Sequence, residues 1–266
     1  MRLKISHKTI YTYDKPVHYA LLQLRLTPRN AVGQRVISWE SHLTGGDRQV
    51  TFDDQFRNRV DLIMMQDTDR LEIHSVGEVE VEDRAGVVGP GEAMTPLWLF
   101  LRKTAMTTPG PHVRKLARQV ESTFAENQLS GAHALAEAVA AAVEYRTGTT
   151  TAMTTAEESV ASGQGVCQDH AHIMIAAARH LGIPARYVSG YLMMDEVPEQ
   201  EAGHAWAELM IDGLGWVGFD VSNAVCPDDR YVRVAVGRDY ADAAPVHGLR
   251  QGDASEELCV SLQVQQ

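Results

Sequence analysis

Apolar and polar residues alternate repeatedly over residues 1–92, and this period-two pattern predicts β-strands. Turn signals at Asp14 to Pro16, at Gly45-Gly46 and at Asp53-Asp54 separate several of the strands. Many short strands divided by turns favour a β-sandwich at the N-terminus. The apolar sets expected to share a face are Leu3/Ile5, Leu22/Leu24/Leu26, Ile37/Trp39, Val50/Phe52, Val60/Leu62/Met64, Leu71/Ile73 and Val79/Val81.

Beyond a predicted linker at 88–92 (Val-Gly-Pro-Gly-Glu), the apolar spacing changes to three and four, which predicts helices. Thr155 and Glu158 fit a capping box that starts a short helix. Alternation returns from Arg186 and predicts antiparallel strands. The predicted fold class is α+β, with a β-sandwich at 1–92 and helices packed on an antiparallel sheet at 93–266. The two expected buried helix stripes are Val113, Leu116, Ala117, Val120 and Phe124, and Leu135, Val139 and Ala142.

Cys167 lies where a turn containing Gly163 and Gly165 gives way to a predicted helix that ends near Leu181. The first turn of a helix presents free N–H groups and the positive end of the helix dipole. Both favour a thiolate, and the N–H groups can stabilise an oxyanion. Alternatively, Cys167 is a small inert core residue, since free cysteines are often buried. The apolar residues that define this helix are Ala171, Met174, Ile175 and Ala178.

His204 begins a predicted strand, and Asp220 ends the strand expected to return beside it after the turn at Asp212-Gly213. One face of the first strand carries His204, Trp206 and Glu208, and the other carries alanine, leucine and isoleucine. The two candidate residues share a face only if paired residue numbers have an even sum, as when 211 lies opposite 215. Asp220 would then fix the tautomer and orientation of the imidazole. Taken singly, each residue is also compatible with a purely structural role.

Together these residues resemble the bacterial transglutaminase-like proteins, a branch of the papain-like thiol enzymes. The motifs that carry the resemblance are Cys167-Gln168-Asp169, 182–190 (Gly-Ile-Pro-Ala-Arg-Tyr-Val-Ser-Gly), His204-Ala205-Trp206 and Gly218-Phe219-Asp220. Residues 3–13 and 24–29 are similar to the β-rich N-terminal region of that family, and 231–242 to its closing strands. The chain departs from the family at His170, where Phe is usual, and at Val221-Ser222, where Pro-Thr is usual.

The resemblance implies Cys167 as nucleophile, His204 as general base and Asp220 as the carboxylate that orients the base. It implies a papain-like catalytic core that transfers acyl groups through a thioester without a cofactor. The expected reaction is hydrolysis of a peptide or isopeptide bond in a peptide or protein substrate, and the alternative is transglutaminase-type amine transfer to a protein glutamine. The residues expected to line the substrate groove are Gln168, His170, Trp206 and the loop 193–196.

Two other functions compete with thiol chemistry. Asp169, His170 and His172 could contribute to a metallohydrolase site, but on a helix these positions point in different directions, whereas a helical zinc pair is spaced i, i+4. A catalytically silent binding module would keep the fold without the chemistry. Sensitivity to chelators rather than to iodoacetamide would favour the metal enzyme.

Composition limits the partners and the cellular location that we expect for the protein. The formal net charge is −11, without a run of Lys and Arg, which argues against nucleic-acid binding. No segment approaches the ~20 apolar residues of a membrane helix, and the first residues lack the apolar block of a signal peptide, so we expect a cytoplasmic protein without a membrane partner. Three scattered cysteines, Cys167, Cys226 and Cys259, do not form a disulfide framework or a zinc motif, and we expect structural roles for the last two.

Overall fold

A computed structural model describes residues 1–91, 95–194 and 199–266. Its helices are α1 (Pro111–Glu126), α2 (Gln128–Ala142), α3 (Ala156–Ser162), α4 (Cys167–His180) and α5 (Tyr240–Ala243), preceded by a 3₁₀ helix at Leu97–Leu101. Its strands are β1 (Arg2–Val17), β2 (Tyr19–Thr27), β3 (Gln34–Thr44), β4 (Asp47–Asp53), β5 (Arg59–Met65), β6 (Thr68–Val81), β7 (Val87–Gly89), β8 (Glu144–Tyr145), β9 (Gln164–Gly165), β10 (Ala185–Leu192), β11 (Glu199–Gln200), β12 (His204–Ile211), β13 (Gly215–Phe219), β14 (Tyr231–Gly237), β15 (Val246–Gln251) and β16 (Glu256–Gln265).

The predicted N-terminal β-sandwich is confirmed. One antiparallel sheet has the order β11-β16-β1-β6-β3, and the other has the order β15-β2-β5-β4. Apolar side chains from both sheets meet in a buried cluster between them, as expected when two sheets cover each other's apolar faces. The strand residues of this cluster are Tyr13, Val17, Ala20, Leu24, Leu26, Ile63, Met65, Leu71 and Ile73.

The sandwich takes strands from both ends of the chain. Strand β16 pairs with β1 from Lys4 opposite Gln265 to Tyr13 opposite Glu256, and β15 pairs with β2. Residues 246–265 of the predicted second domain therefore lie in the sheets of the first. The proposed boundary falls beside residues 92–94, which lie outside the described ranges, and it stays a prediction.

A third antiparallel sheet, of order β14-β10-β12-β13-β7, forms the centre of the remaining chain and is called the central sheet. Helices α1, α2 and α4 cover one of its faces with the two predicted helix stripes, and Ala205, Ala207, Leu209 and Ile211 of β12 point to them. Ala142 is only partly buried at the end of its stripe. The α+β class predicted from the alternation of patterns is confirmed.

The other face of the central sheet is also covered. Trp206 of β12 packs there in a buried cluster with Phe56 of the sandwich and Phe100 of the 3₁₀ helix. Strand β12 is consequently buried on both faces, except for partial exposure of Met210. Because both faces are covered, the polar residues His204 and Glu208 on the predicted polar face of the strand are buried.

Two side-chain amides of the sandwich pair with the edge strand β14. Asn58 donates to the Val236 carbonyl (2.7 Å) and accepts from the Val236 N–H (2.8 Å). Gln34 makes the same two bonds with Arg233, at 2.9 and 2.8 Å. Each amide supplies the donor and acceptor that a neighbouring strand would supply, so the edge is protected and the two layers are joined.

Three local predictions were wrong. Strand β1 continues through Asp14 to Pro16 with an irregular register instead of turning. The predicted linker contributes β7, whose Gly89 pairs with Trp216, while Glu92 lies outside the described residues. In β5 the buried apolar residues after Val60 are Ile63 and Met65, because five apolar residues in a six-residue run leave the inward parity undefined.

Some predicted core positions of the sandwich are exposed. Ile37 lies on β3, and Val50 and Phe52 lie on β4, which are the last strands of their respective sheets. Side chains at a sheet margin have less of the opposite sheet above them. The period-two pattern identified these strands but could not show that they lie at an edge.

We predict that Leu262→Ala destabilises the protein by about 2–5 kcal/mol, the usual cost of truncating a buried leucine. Leu262 lies on β16 and is 0% exposed, whereas Leu249 on β15 is 80% exposed. The matched change Leu249→Ala should alter the free energy of unfolding by less than about 0.5 kcal/mol. Urea unfolding followed by tryptophan fluorescence measures both, and equal effects would contradict the assigned burial of the C-terminal strand.

Candidate functional site

Cys167 is the first residue of α4, as the turn-to-helix pattern predicts. The preceding helix α3 begins with the predicted capping box of Thr155 and Glu158 and ends at Gly163, whose φ of 70° favours glycine. Gly165 is needed for a different reason, since a Cβ there would lie 2.8 Å from the Cβ of Asp169. This tight turn directs the chain into α4.

The Asp169 carboxylate supports the turn before Cys167. Its Oδ2 accepts the Val166 N–H (2.8 Å) and the Thr150 hydroxyl (2.7 Å), both bonds spanning the start of α4. Burial raises the pKa of Asp169, although these two hydrogen bonds oppose the shift. Asp169 thus positions the backbone that carries the thiol.

The hairpin of β12 and β13 has the register required to bring His204 and Asp220 together. Ile211 lies opposite Gly215, so paired residue numbers have the even sum that a shared face requires. The Nε2 atom of His204 lies 2.6 Å from Oδ2 of Asp220, and both side chains are buried. The aspartate therefore fixes the imidazole orientation and leaves Nδ1 for another partner.

Cys167 lies near the His204 ring, since the two residues line one cavity and the pKa of His204 responds to the Cys167 side chain. Burial alone lowers the pKa of His204, but the interactions of the ring with Asp220 and Cys167 outweigh this effect and raise the pKa to about 10. His204 is accordingly an imidazolium at neutral pH. An imidazolium beside a sulfur atom favours the reactive thiolate form.

Asp220 is held by a shell of donors besides His204. Its Oδ1 accepts the backbone N–H groups of Ser222 (3.0 Å) and Asn223 (3.3 Å), and its Oδ2 accepts the Asn223 amide (2.7 Å) and the Tyr231 hydroxyl (2.8 Å). Burial raises the pKa of Asp220, but the imidazolium and these donors outweigh it and lower the pKa. The carboxylate remains charged beside His204.

Asn223 and Tyr231 were not identified from the sequence. Asn223 follows Asp220 by three residues, within reach of a local turn, so an aspartate-initiated turn is a signal that could have found it. Tyr231 comes from β14 and has no such local signal. Tyr145 was not identified from the sequence either. It lies opposite Gly165 in the pairing of β8 with β9, and it is half exposed.

The three predicted substrate residues lie in different places. Gln168 lines the cavity described below and donates to the Ala152 carbonyl at 3.4 Å. His170 and Trp206 are buried and are not among the described residues that line this cavity. Of the predicted loop, Met193 and Met194 pack against apolar clusters, and residues 195–196 lie outside the described ranges.

His170 supports the Asp220 loop. Its Nδ1 lies 2.9 Å from the Ser222 hydroxyl and its Nε2 lies 3.0 Å from the Val143 carbonyl. The carbonyl can only accept, so Nε2 carries the proton and Nδ1 accepts from Ser222. Burial lowers the pKa of His170 and keeps the ring neutral. The two departures from the family pattern, at His170 and Ser222, are thus hydrogen-bonded to each other.

The alternative metal ligands on α4 have separate partners. Asp169 binds the turn at Val166, His170 binds Ser222, and His172 accepts the Tyr240 N–H at 3.1 Å. Over residues 1–91, 95–194 and 199–266, no group of three or more His, Cys, Asp or Glu side chains is arranged to hold a metal ion. The three side chains point in different directions because they occupy positions i, i+1 and i+3 of the helix.

A cavity of about 320 Å³ opens beside Cys167 and His204. One side is formed by α4, β10 and β12, and the other by β1, β2, β15 and β16 of the sandwich. The sandwich residues on the cavity wall are His7, Thr9, Tyr11, Arg25, Leu26, Val246, Leu258 and Val260.

In the described part of the chain, no helix has the length and apolar content to cross a membrane.

Comparison with known proteins finds similarity along nearly the whole chain. Residues 114–221 match the model of the transglutaminase-like superfamily, and residues 3–80 match that of the bacterial transglutaminase-like N-terminal region. An uncharacterized protein of Mycobacterium leprae is 28% identical, over 99% of this chain and 98% of its own. An uncharacterized protein of Mycobacterium tuberculosis is 30% identical, over 93% of this chain and 87% of its own.

A solved structure has the same fold. It is described as "a Putative Cysteine Protease from Cytophaga hutchinsonii" and aligns with a TM-score of 0.77. The alignment covers 100% of this chain and 91% of that chain at 24% sequence identity. The shared fold therefore includes both the sandwich and the central sheet.

We predict that Asp220→Asn lowers the pKa of His204 from about 10 toward or below the ordinary value of 6.5. The change removes the Asp220 charge, the larger of the two contributions that raise this pKa, while burial, which lowers it, remains. NMR titration of the His204 ring measures the shift. Asp228→Asn is the control, because Asp228 pairs with Arg230, and it should leave the titration near its original position. An unchanged His204 pKa in Asp220→Asn would contradict the assigned ion pair.

Proposed function

Because this chain belongs to the transglutaminase-like superfamily, we propose that it is a thiol-dependent acyl-transfer enzyme that hydrolyses amide bonds in a peptide or protein substrate. The observation that supports this most directly is the grouping of Cys167, His204 and Asp220: the imidazole lies 2.6 Å from the Asp220 carboxylate and lines one cavity with the thiol. A thiol, an imidazole and a buried carboxylate in this order are the groups of a nucleophile, its base and the group that orients the base.

In the first step, the Cys167 thiolate attacks the carbonyl carbon of the substrate and forms a C–S bond. The resulting tetrahedral oxyanion collapses, the C–N bond breaks, and its electron pair goes to the leaving amine. His204 gives that nitrogen a proton, so that a neutral amine leaves and the acyl group remains as a thioester on Cys167. Asp220 keeps the ring aligned while its charge changes.

In the second step, neutral His204 takes a proton from water as the water oxygen attacks the thioester carbon. The C–S bond breaks, the acid product leaves, and the thiolate–imidazolium pair is restored. The first N–H groups of α4 have no carbonyl partner within the helix. They are the donors we assign to the oxyanion, because Cys167 is at the start of that helix.

We favour water over an amine as acceptor, because an unregulated cross-linker would modify proteins of its own cell. All three cysteines are free, which fits the reducing cytoplasm that we propose as its location. Amine transfer would use the same thioester and differs only in the second nucleophile. The identity of the acceptor is therefore a question for product analysis.

We predict that Cys167→Ala abolishes both turnover and a covalent acyl adduct, since no sulfur remains to form the thioester. The measurement is mass spectrometry of the protein and products after incubation with a peptide library, with and without a primary amine. Cys259→Ala is the control, because this exposed thiol lies on β16, and it should keep full activity. Wild-type turnover by Cys167→Ala would exclude the mechanism, and products that carry the amine faster than hydrolysis would make the enzyme a transferase.

Asp220→Asn should lower turnover by a factor on the order of 10⁴, as in serine triads, because the imidazole then has the wrong tautomer. Rates of hydrolysis for the best library peptide measure the loss. A chelator should leave the wild-type rate unchanged, and iodoacetamide should abolish it. A loss below about tenfold in Asp220→Asn would mean that the aspartate serves only the turn.

A further inference from the structure

The cavity beside Cys167 has one wall from the sandwich, and this wall is the part of the site without an assigned role. We propose that the wall binds an uncharged, apolar acyl group, so that the strand Glu256–Gln265 selects the substrate. This inference rests on the proposed function, because it concerns the group that becomes attached to Cys167. Three features support it: the exposed apolar face of β16, the pairing of charges around the cavity, and its size.

The first feature is a change in exposure along one face of β16. Leu258 pairs with Tyr11 and Val260 pairs with Thr9, so their side chains point to the same side as the buried face of β1. On this face Leu262 is 0% exposed, Val260 is partly exposed and Leu258 is 52% exposed. The face becomes open where it reaches the cavity. An apolar surface of this kind is usual where a ligand completes the packing.

The second feature is that each positive charge among the described residues of the cavity lining already lies beside a carboxylate. Arg25 is buried; its Nε lies 3.2 Å from Oδ2 of Asp54 and its Nη2 donates to Gln23, while its Nη1 has no hydrogen-bond partner. Burial, with a smaller effect of His74, lowers the pKa of His7 to about 4, so His7 is neutral at neutral pH. His204 is paired with Asp220, and Glu201 brings a carboxylate to the exposed rim. A negatively charged acyl group would therefore be poorly accommodated.

The third feature is size and position. A volume of about 320 Å³ is at the small end of the range of roughly 300–1,000 Å³ for ligand pockets. It suits one side chain or a short acyl chain. Because Cys167 is part of the cavity lining, an acyl group bonded to its sulfur begins inside the cavity. The leaving group, by contrast, departs before the second step.

The test is acylation of the full-length protein by p-nitrophenyl esters of acetate, hexanoate, 3-phenylpropionate and succinate. The burst of p-nitrophenolate, corrected for spontaneous hydrolysis, gives the rate, and mass spectrometry locates the adduct on Cys167. Each buried methylene favours binding, so we expect the hexanoyl and phenylpropionyl esters to react at least about tenfold faster than the acetyl ester. The succinyl ester should react no faster than the acetyl ester.

Leu258→Glu and Leu249→Glu form a matched pair of variants. Both leucines are exposed and lie on strands of the sandwich, but only Leu258 is among the described residues that line the cavity. Leu258→Glu should remove most of the preference for apolar esters, and Leu249→Glu should retain it. Equal preferences in the two variants would overturn the proposal. So would equal rates of acylation of the wild-type protein by all four esters.

Two further outcomes separate this proposal from the proposed function. A preference for the succinyl ester would overturn the apolar assignment and identify Arg25 as a receptor for a carboxylate. The rate of Cys167 alkylation by iodoacetamide reports on the thiol without filling the cavity, and Leu249→Glu should leave it unchanged. If alkylation occurs only at the rate of a model thiol and no ester acylates Cys167, the proposed function fails, and the apolar assignment fails with it.

Discussion

The hairpin that joins β12 to β13 sets Ile211 opposite Gly215, and the arrangement of the site depends on this register. Because side chains alternate across a strand, a slip by one residue would move Asp220 to the opposite face from His204. Gly213 and Gly215 adopt φ values of 77° and 83°, which suit glycine, and a Cβ on Gly215 would also collide with the Gly89 backbone. The turn and the neighbouring strand β7 thus hold a register of the parity that the ion pair requires.

Because both faces of β12 are buried, the interactions between charged groups at the start of this strand are strong. Glu208, on the same face as His204, is fully buried and pairs with both Arg186 and Arg233. Arg186 also lies over the ring of Trp216, so its own charge is packed as well as paired. A buried carboxylate requires such complete pairing, since an unpaired buried charge is strongly unfavourable. The network keeps the polar face of the strand ordered up to His204.

The sequence allowed prediction of features that depend on near neighbours. The start of α4 at Cys167, the capping box at Thr155 and the hairpin turn at Asp212-Gly213 all follow from residues within about one turn or one strand. Contacts between distant segments gave no such signal. The Tyr231 hydroxyl on Asp220 and the pairing of His170 with Ser222 arise because β14 and the Asp220 loop meet α4 and β12 only in the folded chain.

The role of the last residues could not be predicted for the same reason. Alternation from Arg186 onward predicts strands, but period-two patterns do not specify which sheet a strand joins. Once β16 pairs with β1, its even-numbered residues must share the buried face of that strand.

The same strand therefore completes the sandwich at Leu262 and borders the thiol cavity at Leu258. The stability of the sandwich and the shape of the cavity therefore both depend on the pairing of β16 with β1. The sandwich is thus a component of the site, and separating 1–92 from the rest of the chain would remove a wall of the cavity along with the partner of β16.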